Sequence, residues 1–328
     1  MRGIVVAVLA VTALGSGGAL AAGCPLDQPV IKDITADAFY TDKAFSVLDQ
    51  AVVDRNKASL AVLDKSLWVL TSHSDRYLKT GAVEEARCAL AMLTRQAAGG
   101  AMLGTMSSRQ AGYERKWRTA GVAMVYLALK DQAQPDERAT IEPWLKALGD
   151  HVEAMDTKPK DWNNHHYWIG FVATAVGAAT GDAARFARGR KDFDDGLKAI
   201  DADGTLPREM GRAGRSLHYH NYALAPLVLT AEIAARQGED WYSREGGALH
   251  RLAARVAAGM VDPGWFTART GVQTEVPGGG VMSWRAFYER RFPGRIQLPP
   301  TEPMRYTSFG GDMAALAQRW IQEAPAKK

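Results

Sequence analysis

Apolar residues in this chain return at the spacing of an α-helix almost everywhere, and the alternation that marks a half-buried strand is scarce. Phe186, Phe193, Leu197 and Ile200 fall at i, i+7, i+11 and i+14 and so line one helix face. Trp168, Phe171, Val172, Ala175 and Val176 repeat the pattern upstream, and Gly181-Asp182 between the two runs is a helix stop. The pair predicts a helical hairpin. Similar runs predict helices near 44–70, 83–96, 113–129, 137–153, 224–236 and 249–261. Their connections, such as 131–136 and 236–240, are short and polar, so consecutive helices should run antiparallel. An all-α fold of stacked hairpins, closed as one toroid or barrel, is the expectation. No low-complexity linker divides it, so residues 23–328 should form a single domain.

Residues 1–22 are set apart from that domain. Arg2 gives a positive start, Ile4 to Leu14 an apolar stretch and Ala19-Leu20-Ala21 a small-x-small cleavage signal, the pattern of an export leader. The mature protein is therefore expected in the periplasm. The apolar stretch is too short for a bilayer of about 30 Å, and no other uninterrupted one reaches a span, so no transmembrane segment is expected. Ala21-Ala22-Gly23-Cys24 resembles a lipoprotein box, but its apolar residue, Leu20, stands four before the cysteine instead of three. Lipid anchoring at Cys24 is accordingly the weaker alternative. The two cysteines, Cys24 and Cys88, are an even count in a compartment where disulfides persist, which leaves their pairing open. Forty basic against 36 acidic residues give a net charge of +4, which suits an anionic partner. No Lys/Arg-rich run marks a nucleic-acid arm.

Four of the seven histidines fall in two polar, aromatic clusters. The first runs from Asp161 to Trp168 and the second from Arg208 to Tyr222. Each polar group buried without a partner costs about 1 to 3 kcal/mol, so groups this dense belong at a cleft. His73, His151 and His250 stand alone and are expected to be structural. His165, His166, His218 and His220 lack a carboxylate or thiolate at ligand spacing and any HExxH pattern, so no metal is expected. Glu209 and Asp203 as the paired acids of a glycosidase are a competing possibility. The loops 201–207 and 278–280 are candidate rims of the site, and Gly278–Gly280 lacks the Lys-Ser/Thr sequel of a phosphate loop.

Asn163-Asn164-His165-His166-Tyr167-Trp168 resembles the Asn-Asn-His-Ser-Tyr-Trp motif of bacterial alginate lyases that cleave poly-β-D-mannuronate, and Leu217-His218-Tyr219-His220-Asn221-Tyr222 resembles their second motif. The likeness also takes in 27–33, 110–117 and 231–240 and fades after about 245. It implies an exported protein, an incomplete α/α toroid and a catalytic quartet of Asn164, His165, Arg212 and Tyr219. His166 departs from the motif's serine. Some relatives cut other polyuronates, such as polyglucuronate or hyaluronan, so the expected function is β-elimination at the 4-O linkage of poly-β-D-mannuronate, alginate or a related polyuronate. A noncatalytic periplasmic binding protein for anionic polysaccharide is the alternative.

These residue types suit that chemistry. The carboxylate on C5 makes the neighbouring proton poorly acidic, and an amide and a guanidinium aimed at it, Asn164 and Arg212, would stabilise the enolate-like transition state. They also make a cofactor unnecessary. Tyr219 is the candidate base and acid, provided that Arg212, Arg215 and His165 lower its pKa from about 10. His165 would stabilise the phenolate or, for the opposite C5 configuration, act as the base from the other face. Lys43, Lys160 and Arg215 are expected to pair with neighbouring carboxylates, and Tyr40, Tyr113, Trp168, His218 and Tyr222 to meet the sugars. A monomer is expected.

Overall fold

Asp42 decides where the first long helix begins. In the computed structural model, which describes residues 20, 21, 23–300 and 304–322, its carboxylate accepts from the backbone N–H of Ser46 and Val47, each at 2.8 Å, and from the Ser46 hydroxyl. These bonds, that from Val47 foremost, hold its pKa down at about 2. Residues 42–48 are thereby folded into a loop, and α1 (Gln50–Thr80) starts six residues later than the periodicity suggested, capped by Asp49. Apart from Leu20 and Ala21, the expected leader lies outside the described residues.

The helices α2 (Val83–Ala98), α3 (Arg109–Leu129), α4 (Pro135–Glu153), α5 (Asn164–Thr180) and α6 (Ala183–Lys198) follow. A short α7 (Pro207–Met210) leads into α8 (Ser216–Arg236), then α9 (Arg244–Val261), α10 (Gly264–Thr270), α11 (Arg285–Arg291) and α12 (Met313–Gln322). They build the expected all-α, incomplete α/α toroid. The helices α3, α5 and α8 are buried on nearly every face and form the inner wall. Against them pack amphipathic helices: α6 lays Phe193 and Leu197 inward, and α9 lays Leu249, Leu252 and Val256. Two glycines bring α5 and α6 together. A Cβ on Gly177 would fall 2.6 Å from the Phe186 nitrogen, and one on Gly189 would fall 2.1 Å from the Thr174 hydroxyl.

The chain beyond 245, where the family likeness fades, completes the core. The helix α9 packs on α8, and α11 on α12. A two-residue antiparallel pair, β1 (Arg305–Tyr306) with β2 (Gly311–Asp312), carries Phe309 onto Trp168, ring centres 5.4 Å apart. Arg305 is tied to Asp75 of α1 at 2.8 Å. At the other end of the chain, Cys24 and Cys88 form a disulfide that fastens the entry to α2. No helix among the described residues is long and apolar enough to cross a membrane.

Candidate active site

The inner helices present their N-terminal halves to one cleft, where the positive ends of the helix dipoles favour negative charge. Asn163 caps α5, accepting from the His165 N–H at 2.9 Å, and so fixes Asn164 and His165 in the first turn. Ser108 caps α3 ahead of Gln110, Tyr113, Lys116 and Trp117. The helix α8 begins at Ser216, eight residues earlier than the periodicity suggested, so His218, Tyr219 and Tyr222 occupy its first two turns. His165 is in the wall of two adjoining cavities: one of about 660 Å³ with Lys43, Arg109, Arg208 and Arg212, and one of about 430 Å³ with Tyr40, Arg215 and Tyr219.

The four residues of the expected quartet meet here. Glu209, fully buried, accepts from the Asn164 backbone N–H at 2.7 Å and its side-chain amide at 3.0 Å, and pairs with Arg212 at 3.2 Å. A carboxylate so committed cannot serve as a glycosidase acid, and Asp203 is occupied with Thr205, so the paired-acid possibility falls. Arg212 lies over the Tyr219 ring, 4.8 Å from its centre, and over Phe45 of the 42–48 loop at 5.0 Å. The Tyr219 hydroxyl meets that of Tyr40 at 2.8 Å. Arg215 reaches the same Tyr40 oxygen at 2.7 Å, His218 at 3.0 Å and Glu275 at 3.2 Å. Tyr113 accepts from Arg109 and stacks on His165 at 3.8 Å, and Lys116 reaches the His165 Nδ1 at 2.7 Å.

The protonation states correct one expectation. Arg212 and Arg215 do pull the Tyr219 pKa down, but burial first, and then the Tyr40 hydroxyl, push it further up, well above the ordinary phenol value. Tyr219 is therefore a phenol at neutral pH. Burial, with the charges of Lys116, Arg212 and Arg109, holds His165 well below its usual value, and burial with Arg215 brings His218 to about 3. Both rings are neutral at pH 7.

Two binding expectations are corrected as well. Trp168 is 0 % exposed, stacked on Phe309 and bonded through its indole N–H to the Tyr222 carbonyl, so it packs the wall from behind instead of meeting sugar. Lys160 is exposed on the turn Pro159–Asp161 and does not line the cleft; successive residues of so tight a turn diverge, and Asp161 faces the cavity instead. Lys43, exposed on its loop, and Tyr40, Tyr113, Arg215, His218 and Tyr222 do line it. The four clustered histidines do not converge: both ring nitrogens of His220 are spent on the Leu206 N–H and the Ser216 carbonyl. His166 is buried between Asp156 and Asp192 and stacked on Trp162 at 3.9 Å. The ligand-type atoms of Asp156, His166 and Asp192 lie within 4.8 Å of one another, with Arg188 already bridging both carboxylates.

A family model described as alginate lyase matches residues 34–266, more than half of the chain. The chain belongs to the alginate lyase family. A polysaccharide lyase of Stenotrophomonas maltophilia (strain K279a) is 41% identical over 96% of this chain and 97% of its own. An alginate lyase of Azotobacter vinelandii is 32% identical over 90% of this chain and 84% of its own. Among solved structures, alginate lyase A1-III from Sphingomonas species A1 superposes with a TM-score of 0.73 at 25% identity, over 88% of this chain and 84% of that one. A tetrasaccharide complex of A1-III gives 0.76 at 24%, with the same coverage. Within this alginate lyase site, sequence reasoning missed Glu209 as the tether of Asn164 and Arg212, and it missed Lys116. Arg109 and Arg208, which add cationic charge to the cleft, were missed as well. Lys116 stands inside the 110–117 stretch that carried part of the family likeness, which was the available signal.

Proposed function

We propose that this alginate lyase family member is an exported polysaccharide lyase that cleaves poly-β-D-mannuronate, or the mannuronate stretches of alginate, by β-elimination. One observation carries the proposal: Tyr219 is held beneath Arg212, with His165 and Asn164 in the adjoining wall, in a cleft edged by helix N-termini and cations. In mannuronate the C5 proton and the C4 oxygen lie on the same face of the sugar. The ionised fraction of Tyr219 takes the C5 proton, and the electron pair spreads onto the C6 carboxylate. Arg212 and the second N–H of the Asn164 amide, the first being held by Glu209, stabilise that charge. The C4–O4 bond then breaks as the C4–C5 double bond forms, and the departing oxygen takes the proton from Tyr219, leaving the phenolate again.

The 41% identical relative is called a polysaccharide lyase with no polymer named, and we extend the proposal to related polyuronates such as polyglucuronate or hyaluronan. For location, the leader pattern of residues 1–22 and the Cys24–Cys88 bond both favour the periplasm. The Cys24 sulfur, being in a disulfide, is unavailable for lipid. Incubation with a polyuronate panel, following the ultraviolet absorbance of the unsaturated product end, tests the activity. Binding to these polymers without a rise on any of them would leave a noncatalytic binding protein instead.

A further inference from the structure

Lys116 takes no part in the chemistry above, yet it is built into the site. It is 0 % exposed, forms no ion pair among the described residues and has one polar partner, the Nδ1 of His165 at 2.7 Å. A lysine buried in this way without a carboxylate is costly to the fold, so its placement calls for a compensating contact. Two aromatic faces provide part of it: Nζ lies 4.7 Å from the centre of the Tyr113 ring and 5.4 Å from that of Trp117. The Tyr113 ring also stacks on His165, so α3 grips the imidazole by its face and by its Nδ1 edge together.

This grip has a consequence for the proton on His165. An ammonium group has three donors and no acceptor, so against Lys116 the Nδ1 must accept, and the one proton of the neutral ring must sit on Nε2. Burial foremost, and then the charge of Arg109, hold the Lys116 pKa well below its usual value despite Glu114 and Asp156, and the two ring faces are what favour the ammonium there. We propose that Lys116 is a positioning residue that fixes His165 in its Nε2–H tautomer and so makes that ring a hydrogen-bond donor, not a base, in the cleft.

The consequence for specificity rests on the lyase function proposed above; the tautomer rests on the 2.7 Å contact and on Lys116 carrying its proton. With His165 unable to take a proton through Nε2, Tyr219 is the one group that removes the C5 proton. The site is then committed to uronates whose C5 proton and C4 oxygen share a face, and the opposite C5 epimer is refused because its proton faces a donor.

Long-range nitrogen–proton spectra of histidine-labelled protein report the tautomer directly, with the His165 signals identified by their loss in His165→Gln. The wild type and Lys116→Arg should show Nε2–H, and Lys116→Met should gain the Nδ1–H form. Lys116→Met should also lose at least about tenfold in polymannuronate turnover, the lower end of what removing a ring-orienting partner costs, while its polyguluronate-to-polymannuronate rate ratio rises and Lys116→Arg restores the wild-type ratio. An Nδ1–H signal in the wild type overturns the proposal, and so does a folded Lys116→Met protein with tautomer and rates unchanged. If Lys116→Met does not fold, the wild-type spectrum decides alone. An Nε2–H signal in a protein inactive on every polyuronate would uphold the tautomer and remove the lyase function.

Discussion

The hydroxyls of Tyr40 and Tyr219 lie 2.8 Å apart although 179 positions separate the two residues in the chain. The Tyr40 oxygen also accepts from Arg215, so a loop residue outside the helical wall is bonded to the candidate base. A sugar that needs the Tyr219 hydroxyl must displace this bond.

The pH dependence follows from that contact. Tyr219 removes a proton only when it has lost its own, and its pKa is raised above the ordinary value, so kcat/KM should climb with pH through the alkaline range. Tyr40 is one of the groups raising that pKa, so Tyr40→Phe should move the climb to lower pH. Arg212→Met and Arg215→Met, which remove charges that lower it, should move it to higher pH. Profiles of kcat/KM for the variants check this, and a climb at the same pH in Tyr40→Phe would speak against the contact.

Tyr219→Phe should fold and bind polymannuronate but lose at least about a hundredfold in kcat, the lower end of general acid–base contributions. Tyr222→Phe should act through packing and binding, because its ring lies against Trp168 at 5.3 Å behind the cleft. Circular dichroism, binding and single-turnover rates separate the two, and a Tyr219→Phe enzyme keeping half its turnover would move proton abstraction elsewhere.

Glu209→Gln removes the charge that faces Arg212 in a fully buried position and weakens the tether on Asn164. A stability loss of about 1 to 3 kcal/mol is expected, since a buried charge-assisted pair is broken from one side. Turnover should fall with it, because both donors to the substrate carboxylate lose their fixed direction. Denaturant melts alongside kcat measure the two effects, and full turnover in a destabilised protein would make Glu209 a purely structural residue.

Replacing both Cys24 and Cys88 by serine opens a covalent loop of 64 positions and should cost about 2 to 4 kcal/mol of stability. The site's rates should be unchanged, because the bond joins the chain entry to α2. Mass spectrometry of the exported protein should find a 2 Da deficit for the disulfide and no diacylglyceryl group, whose presence on Cys24 would reverse the assignment.

The inner helices were legible because a helix buried on every side, such as α5, is apolar throughout, and the motif clusters marked the ends of α5 and α8. The start of α1 was not: Phe45, Val47 and Leu48 fit a helical period, and the bonds that Asp42 makes to Ser46 and Val47 override it locally. Trp168 misled because an aromatic residue beside catalytic ones looks the same in sequence whether it faces sugar or, as here, Phe309. Phe309 stands 141 positions away, and no local pattern announces so distant a partner. Lys116 was passed over for a similar reason: a lysine between Arg115 and Trp117 looks like surface until α5 closes over it.

Phe309 gives the order of synthesis a structural meaning. A chain cut before residue 304 would leave the rings of Trp168 and Phe171 uncovered. Gly121, whose Cβ would fall 2.3 Å from the Thr307 carbonyl, would face an open slot, and Asp75 would lose Arg305. The nascent polypeptide thus holds an unfinished, sticky groove at the back of its binding wall until residue 309 has been made, and premature termination before that point should yield aggregates in place of a slightly shortened enzyme.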